Sequence, residues 1–407
     1  MSSLFSYIFL ISIIVVWGYF ILVKKVCAFT VLIMSTVVYY AWFSIIDMDF
    51  IIKLLLLGTA IISLLKYRYK YYTKILVFIS ILLLIAGMLG ADFNNTYTYK
   101  DFATAYLSTF LGILTFCVCW PENNRIAALK VIAWLPIISI VLAIILLPLQ
   151  LVPIFSRVDG SGFGGISMAT NLAFYSVISI MASLTIYSIT SIKKYRLLAY
   201  LDFGIVLLTL TRGGILAAFI VLLPNILIWI KETKKSRNKV LITLVIILIS
   251  TIPLIEATLL VINRSFSNGT FNSSGRFEAW AYMISIVENP IIGNGLGNLK
   301  TLTDNALKNG FRAAHNEYVR VYYETGFFGA FIYFKMFLFM FRKVIKNTVM
   351  LKKSYVICFI LAFLSYSLTD NTLTNYRFWI PFMFVLALIQ DSRKISCNNS
   401  VSNTISD

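Results

Sequence analysis

The sequence predicts an all-α, polytopic integral membrane protein with about 12 transmembrane helices and one large external loop between the tenth and eleventh spans. Three observations predict it. The 407 residues are 59% hydrophobic and only 13% charged. The mean hydropathy is +0.86. The basic residues sit in short clusters between long apolar runs. Soluble domains hold about 45–50% apolar and about 25% charged residues, so the composition excludes a water-soluble enzyme and a disordered chain.

A spanning helix needs roughly 20 mostly apolar residues. Runs of this kind cover 4–23, 27–46, 50–65, 75–91, 102–120, 127–150, 168–190, 197–211, 214–230, 240–262, 326–341, 354–370 and 377–390. The N-terminus carries neither the basic region nor the small-residue cleavage site of a signal peptide, so the first run is expected to be retained. Residues 1–390 read as a single transmembrane domain, and 391–407 as a disordered cytoplasmic tail.

The formal charge of +18 does not imply a nucleic-acid partner, because the basic residues flank apolar runs instead of forming one patch. Basic linkers at 24–25, 66–74, 125–130, 193–196, 231–239, 342–353 and 393–394 hold 23 of the 35 Lys and Arg residues. They fall on alternate connections, which makes that side cytoplasmic by the positive-inside bias. Ten basic residues lie on the opposite connections: Arg157, Arg212, Arg264, Arg276, Arg312, Arg320, Arg377, Lys100, Lys300 and Lys308. Seven of these ten are Arg, against six of the 23 on the cytoplasmic side. Topology accepts Lys as readily as Arg, whereas a fixed fork of donors suits phosphate or carboxylate gripped at two points. The outward face therefore reads as an anion site; the plainer reading pairs these arginines with loop acids.

The long hydrophilic stretch 263–325 keeps Phe277, Trp280, Tyr282, Ile284 and Ile286. It is expected to fold on the membrane face with one or two short helices. Near its end stands His315, the single histidine of the chain, in Ala313-Ala-His-Asn-Glu-Tyr318, where a helix is expected to begin. An imidazole titrates near neutrality and suits proton transfer to or from a hydroxyl, with Asn316 beside it to orient a ligand. An ordinary polar role is the alternative.

Other features read as structural. Gly293, Gly295 and Gly297 lack the dinucleotide spacing and predict a surface turn. The five cysteines lie mostly in apolar runs and read as small hydrophobes; with one histidine, a mixed His/Cys zinc site is excluded. Asp202 and Lys335 fall near the ends of spans, where their side chains are expected to snorkel. Arg212 has the stronger claim to function: it ends two apolar runs in Leu210-Thr-Arg-Gly-Gly214, where glycines let backbone or ligand come close.

Three segments resemble the O-antigen ligase and O-antigen polymerase superfamily. One runs from Arg157-Val-Asp-Gly160 through Asn171-Leu-Ala173 to Leu208-Thr-Leu-Thr-Arg-Gly-Gly214. A second is Ser274-Gly-Arg-Phe-Glu-Ala-Trp280 followed by Asn289-Pro-Ile-Ile-Gly-Asn-Gly-Leu-Gly297. The third and most specific joins His315-Asn316 to Gly326-Phe-Phe-Gly329. The resemblance covers about residues 150–390.

The resemblance implies a glycosyltransferase of the bacterial inner membrane, with its site facing the periplasm or exterior and acting on undecaprenyl-diphosphate-linked oligosaccharide without a metal or other cofactor. Carried over by motif, His315, Arg212 and Arg276 are catalytic. Arg157 is a further contact to the lipid diphosphate, and Asn316, Arg264, Arg312 and Arg320 complete the expected substrate-binding set. Implied partners are the lipid bilayer, a chain-length regulator and a flippase, with no nucleic acid. A polymerase extends lipid-linked glycan and a ligase moves it to lipid A-core. The His-Asn-Glu-Tyr form and the spacing from Arg264 to Gly275 favour the polymerase. A flippase of lipid-linked sugars and a scaffold without a site are the rivals from other classes. Against the flippase, the chain shows no internal repeat.

Overall fold

The structure, a computed structural model, describes residues 11–12, 14–19, 30, 48–67, 69–149, 162–166, 168–233, 266–267, 270–271, 276–302, 314–348 and 351–390. Eleven helices lie among them: α1 (Met48–Tyr67), α2 (Thr73–Leu89), α3 (Tyr99–Cys117), α4 (Glu122–Leu146), α5 (Ala169–Thr190), α6 (Lys193–Leu208), α7 (Arg212–Thr233), α8 (Arg276–Ser285), α9 (Glu317–Asn347), α10 (Lys353–Ser367) and α11 (Tyr376–Leu388). The one sheet among the described residues is a two-residue antiparallel ladder of β1 (Phe266–Ser267) and β2 (Thr270–Phe271). The all-α expectation holds. Phe50–Tyr67, Asn124–Leu146 and Ala169–Thr190 are long and apolar enough to cross a bilayer; Thr73–Leu89, Arg212–Ile228, Lys353–Ser367 and Tyr376–Leu388 are shorter apolar helices. The expected spans at 27–46 and 240–262 lie almost entirely outside the described residues, as does most of 4–23 and all of the tail 391–407.

Helix ends shift where local chemistry overrides hydropathy. The apolar run at 102–120 becomes a helix from Tyr99, because the Thr98 side chain and Asp101 form a reciprocal capping box. The core is built around two helices. All 13 residues of α11 are buried, and α5 is buried along most of its length. A helix that is apolar on every side belongs in the middle of a bundle. At Gly112 of α3 an added Cβ would stand 2.1 Å from Trp379 Nε1, and that nitrogen donates to the Thr109 carbonyl at 3.0 Å. Small residues permit such backbone approach between membrane helices. The outer faces of α2 and α9 leave Phe78, Ile81, Ile85, Phe331 and Phe334 exposed, which suits acyl chains and would be a liability in water.

Asp202 corrects the sequence reading. The apolar run starts at 197, but α6 begins at Lys193, so Asp202 falls inside the helix and does not snorkel. It is 0% exposed, and the Ser179 hydroxyl donates to its Oδ2 at 2.6 Å. Cys119 is a second correction: it lies just past the end of α3 and is disulfide-bonded, while Cys117 and Cys358 are free.

The basic connections 66–74, 125–130 and 342–353 meet at one end of the bundle. Tyr72 donates to Gln390 Oε1 at 2.7 Å, Arg125 Nε donates to the Leu388 carbonyl at 2.7 Å, and Lys343 donates to the Tyr71 hydroxyl at 2.7 Å. Lys70 is buried there, its Nζ 4.5 Å from the Phe116 ring centroid and without a hydrogen-bond partner. Burial pushes the Lys70 ammonium down to about 7 from 10.5, and Arg125 adds to the fall. The unfolded chain therefore holds more protons between these values, so this residue's contribution rises with pH across that window. Lys70→Met is expected to raise the thermal midpoint of the detergent-solubilised protein near pH 6, with the gain shrinking towards pH 10. Equal midpoints for variant and wild type at both pH values would show that the ammonium costs nothing where it lies.

Candidate active site

The opposite end of the bundle gathers around the turn after α10, at Thr369 and Asp370. The turn is closed by backbone N–H groups of Thr369 and Asp370 donating to the Tyr366 carbonyl at 2.9 and 3.0 Å. The Ser367 and Thr372 hydroxyls lie 2.7 Å apart. The starts of three helices reach this turn.

The first is α7. Its opening pair is Arg212-Gly213, and a Cβ on Gly213 would stand 2.1 Å from Thr369 Oγ1 and 2.6 Å from the Tyr366 ring. The missing side chain is what lets the helix seat on the turn. Before it, Leu210 has a left-handed backbone at φ 51°, which is unfavourable for a bulky residue. The second is α8, whose first residue, Arg276, donates from Nη1 to the Thr369 carbonyl at 3.1 Å. The third is α9. His315 just precedes it, and its Nδ1 lies 3.6 Å from Asp370 Oδ1, with the side chains 36% and 20% exposed. At that distance the pair is electrostatic when the imidazole is protonated, and too long for a good hydrogen bond.

Local chemistry holds His315 in place. Its backbone is left-handed, at φ 46°. Trp280 Nε1 of α8 donates to the Ala314 carbonyl at 2.6 Å. Asn316 Oδ1 accepts from the backbone N–H groups of Tyr318 and Val319 at 3.0 and 3.2 Å, an N-cap that starts α9 where the sequence predicts a helix. The side-chain oxygen of this expected ligand-orienting residue thus caps the helix start.

The Arg276 and His315 side chains reach one turn, and Arg212 stands at the head of α7, next to the Gly213 that seats on the same turn. Arg157, Arg264 and Arg312 lie outside the described residues. Arg320 is placed differently from expectation. It is 2% exposed and forms ion pairs with both Glu317 and Glu324, so its fork is occupied by carboxylates of its own helix. Burial opposes its charge, but the two carboxylates outweigh burial and hold the guanidinium above its ordinary range. Sequence reasoning missed Asp370, which lies in the short connection between α10 and α11. It also passed over Glu317, whose Oε2 accepts from the Leu373 N–H at 3.2 Å.

The glycine run forms a buried joint and not a surface turn. Gly293, Gly295 and Gly297 have φ of 70°, 96° and 86°. The N–H groups of Asn294 and Gly295 donate to the carbonyls of Tyr323 and Glu324 at 3.0 and 2.8 Å. Those carbonyls are released by a break in α9 at Gly326, where φ is 60° and ψ is −166°.

Chemically, this end offers the Arg276 guanidinium, an imidazole facing a carboxylate, and three helix starts, one of them headed by Arg212, whose dipoles favour an anion. The described residues form a helical bundle whose apolar helices suit a membrane. A family model described as O-antigen ligase matches residues 197–334, and this supports the O-antigen ligase/polymerase superfamily and a glycosyltransferase-type activity. The matched stretch holds Arg212, Arg276 and His315 and stops short of Asp370. No curated protein matches the chain.

Proposed function

We propose that the protein transfers an undecaprenyl-diphosphate-linked glycan to a sugar hydroxyl, acting as a surface-polysaccharide polymerase of the bacterial inner membrane with its site on the outward face. The observation that supports this reading is that the Arg276 and His315 side chains reach the Thr369–Asp370 turn on which the head of α7, Arg212-Gly213, is also seated.

In this reading the acceptor hydroxyl oxygen attacks the anomeric carbon of the donor glycan. The bond from that carbon to the phosphate oxygen breaks, and its electron pair leaves on the lipid diphosphate. Arg212 and Arg276 stabilise the charge that develops there, and fixed donors act with little reorganisation. His315 Nε2, on the far side of the ring from Asp370, takes the hydroxyl proton. Asp370 then balances the imidazolium, as a carboxylate behind a general base does.

The O-antigen ligase description of residues 197–334 favours transfer to lipid A-core as the second reading. A strain lacking the protein separates the two. Single repeat units still joined to core are the expected result; long lipid-linked polymer with bare core would make the protein a ligase. In complementation, Arg276→Lys is expected to shorten or abolish the long chains, because an ammonium does not reproduce a two-point grip. Wild-type chain lengths at normal expression would remove Arg276 from the donor site.

A further inference from the structure

Arg320, Glu317 and Glu324 form a buried cluster one helical turn past His315. Arg320 Nε donates to Glu317 Oε1 at 2.8 Å, and the two terminal nitrogens of the fork reach Glu317 and Glu324. All three residues are 2–3% exposed. Each carboxylate also meets backbone N–H groups outside the helix. Glu317 Oε2 accepts from the Leu373 N–H at 3.2 Å, in the connection that carries Thr369 and Asp370. The Glu324 carboxylate faces the backbone N–H groups of Gly297 and Leu299, at the end of the glycine run. The cluster thus spans from the turn facing His315 to the segment packed into the break of α9.

Two buried carboxylates sharing one guanidinium are a costly way to hold a helix together, since apolar side chains of similar volume often do as well or better. What they supply is direction: a planar fork fixes two acceptors at a set distance and angle. We propose that Arg320 is a positioning residue that, through Glu317 and the Leu373 N–H, fixes the Thr369–Asp370 turn against His315 and Arg276. The proposal rests on the reading of that turn as the transfer site. It replaces the substrate contact expected of Arg320 with an action through its neighbours.

The test compares donor KM and kcat in purified protein, with lipid-linked repeat unit as donor. Arg320→Lys keeps the charge balance, so neither carboxylate is left uncompensated, but one ammonium cannot hold both in the fork geometry. The expected result is a kcat lower by about 10–100-fold, because small misplacements of reacting groups are that costly, with donor KM within about twofold. A raised donor KM with kcat retained would overturn the proposal and put Arg320 on the diphosphate. Unchanged kinetics with a lowered thermal midpoint would also overturn it, leaving the cluster a fold element only. Should Arg320→Lys not fold, Glu317→Gln keeps an acceptor for Leu373 while loosening the grip of Arg320, and wild-type kcat in that folded variant sinks the idea. His315→Asn in the same assay keeps the two failures apart: turnover there would defeat the reading of the site itself, whatever Arg320 does.

Discussion

Replacing His315 with alanine is expected to abolish long-chain polysaccharide on a gel, with turnover of purified protein lower by about 10²–10⁴-fold, the usual contribution of a positioned general base. The backbone complicates the variant. His315 has φ of 46°, a region that alanine enters at a cost and asparagine tolerates. His315→Asn is therefore the companion: it keeps the left-handed start of α9 and has no group that takes a proton near neutrality. If the imidazole does chemistry, both variants lose turnover alike. If Asn works and Ala does not, the residue matters for its backbone and the proton role is gone. Asp370→Asn is the milder change, because it keeps the shape and removes the countercharge behind the ring. Its effect should lie between wild type and the His315 variants.

How much of this was legible in the sequence differs between fold and site. Apolar runs located the helices because bilayer-spanning segments carry a strong, one-dimensional signal. The site arginines and His315 stood out by residue type and side of the membrane. Asp370 did not, because its meaning comes from a turn between α10 and α11 meeting the start of α9, a tertiary fact. Arg320 was assigned by its side of the membrane and not by its register. Glutamates stand three residues before it and four after it, the spacing of helical ion pairs, within the helix expected to begin near His315. Asp202 was misjudged because a hydropathy window set the start of α6 too late. The glycines at 293, 295 and 297 read as a surface turn, whereas they lie buried against α9. That they fill a broken helix is not visible in the sequence, because the break at Gly326 lies between the helix start expected near His315 and the apolar run that begins at 326.

That joint sets the other large expected effect. Substituting Gly326 with alanine should leave little folded protein, measured as the monodisperse peak after detergent extraction. In an unbroken helix the carbonyls of Tyr323 and Glu324 would bond the N–H groups of Phe327 and Phe328. Here those two N–H groups donate instead to Pro290 and Ile291 carbonyls, at 2.8 and 3.0 Å, while the two carbonyls take Asn294 and Gly295. The segment 290–295 is thus a spacer inserted into the ladder, and every backbone group it displaces is satisfied again, as a low-dielectric setting demands. An added Cβ at Gly326 would stand 2.4 Å from the Ile291 carbonyl, which is backbone and cannot rotate away. The φ and ψ of that residue are close to glycine-only territory, a strain of about 1–3 kcal/mol for alanine. Putting four backbone bonds out of register adds roughly 1 kcal/mol each. Together these reach about 5 kcal/mol or more, the lower range of the whole net stability of a folded protein. A normal yield of active Gly326→Ala would show that α9 runs straight, and would take from the glycine run its reason for lying where it does.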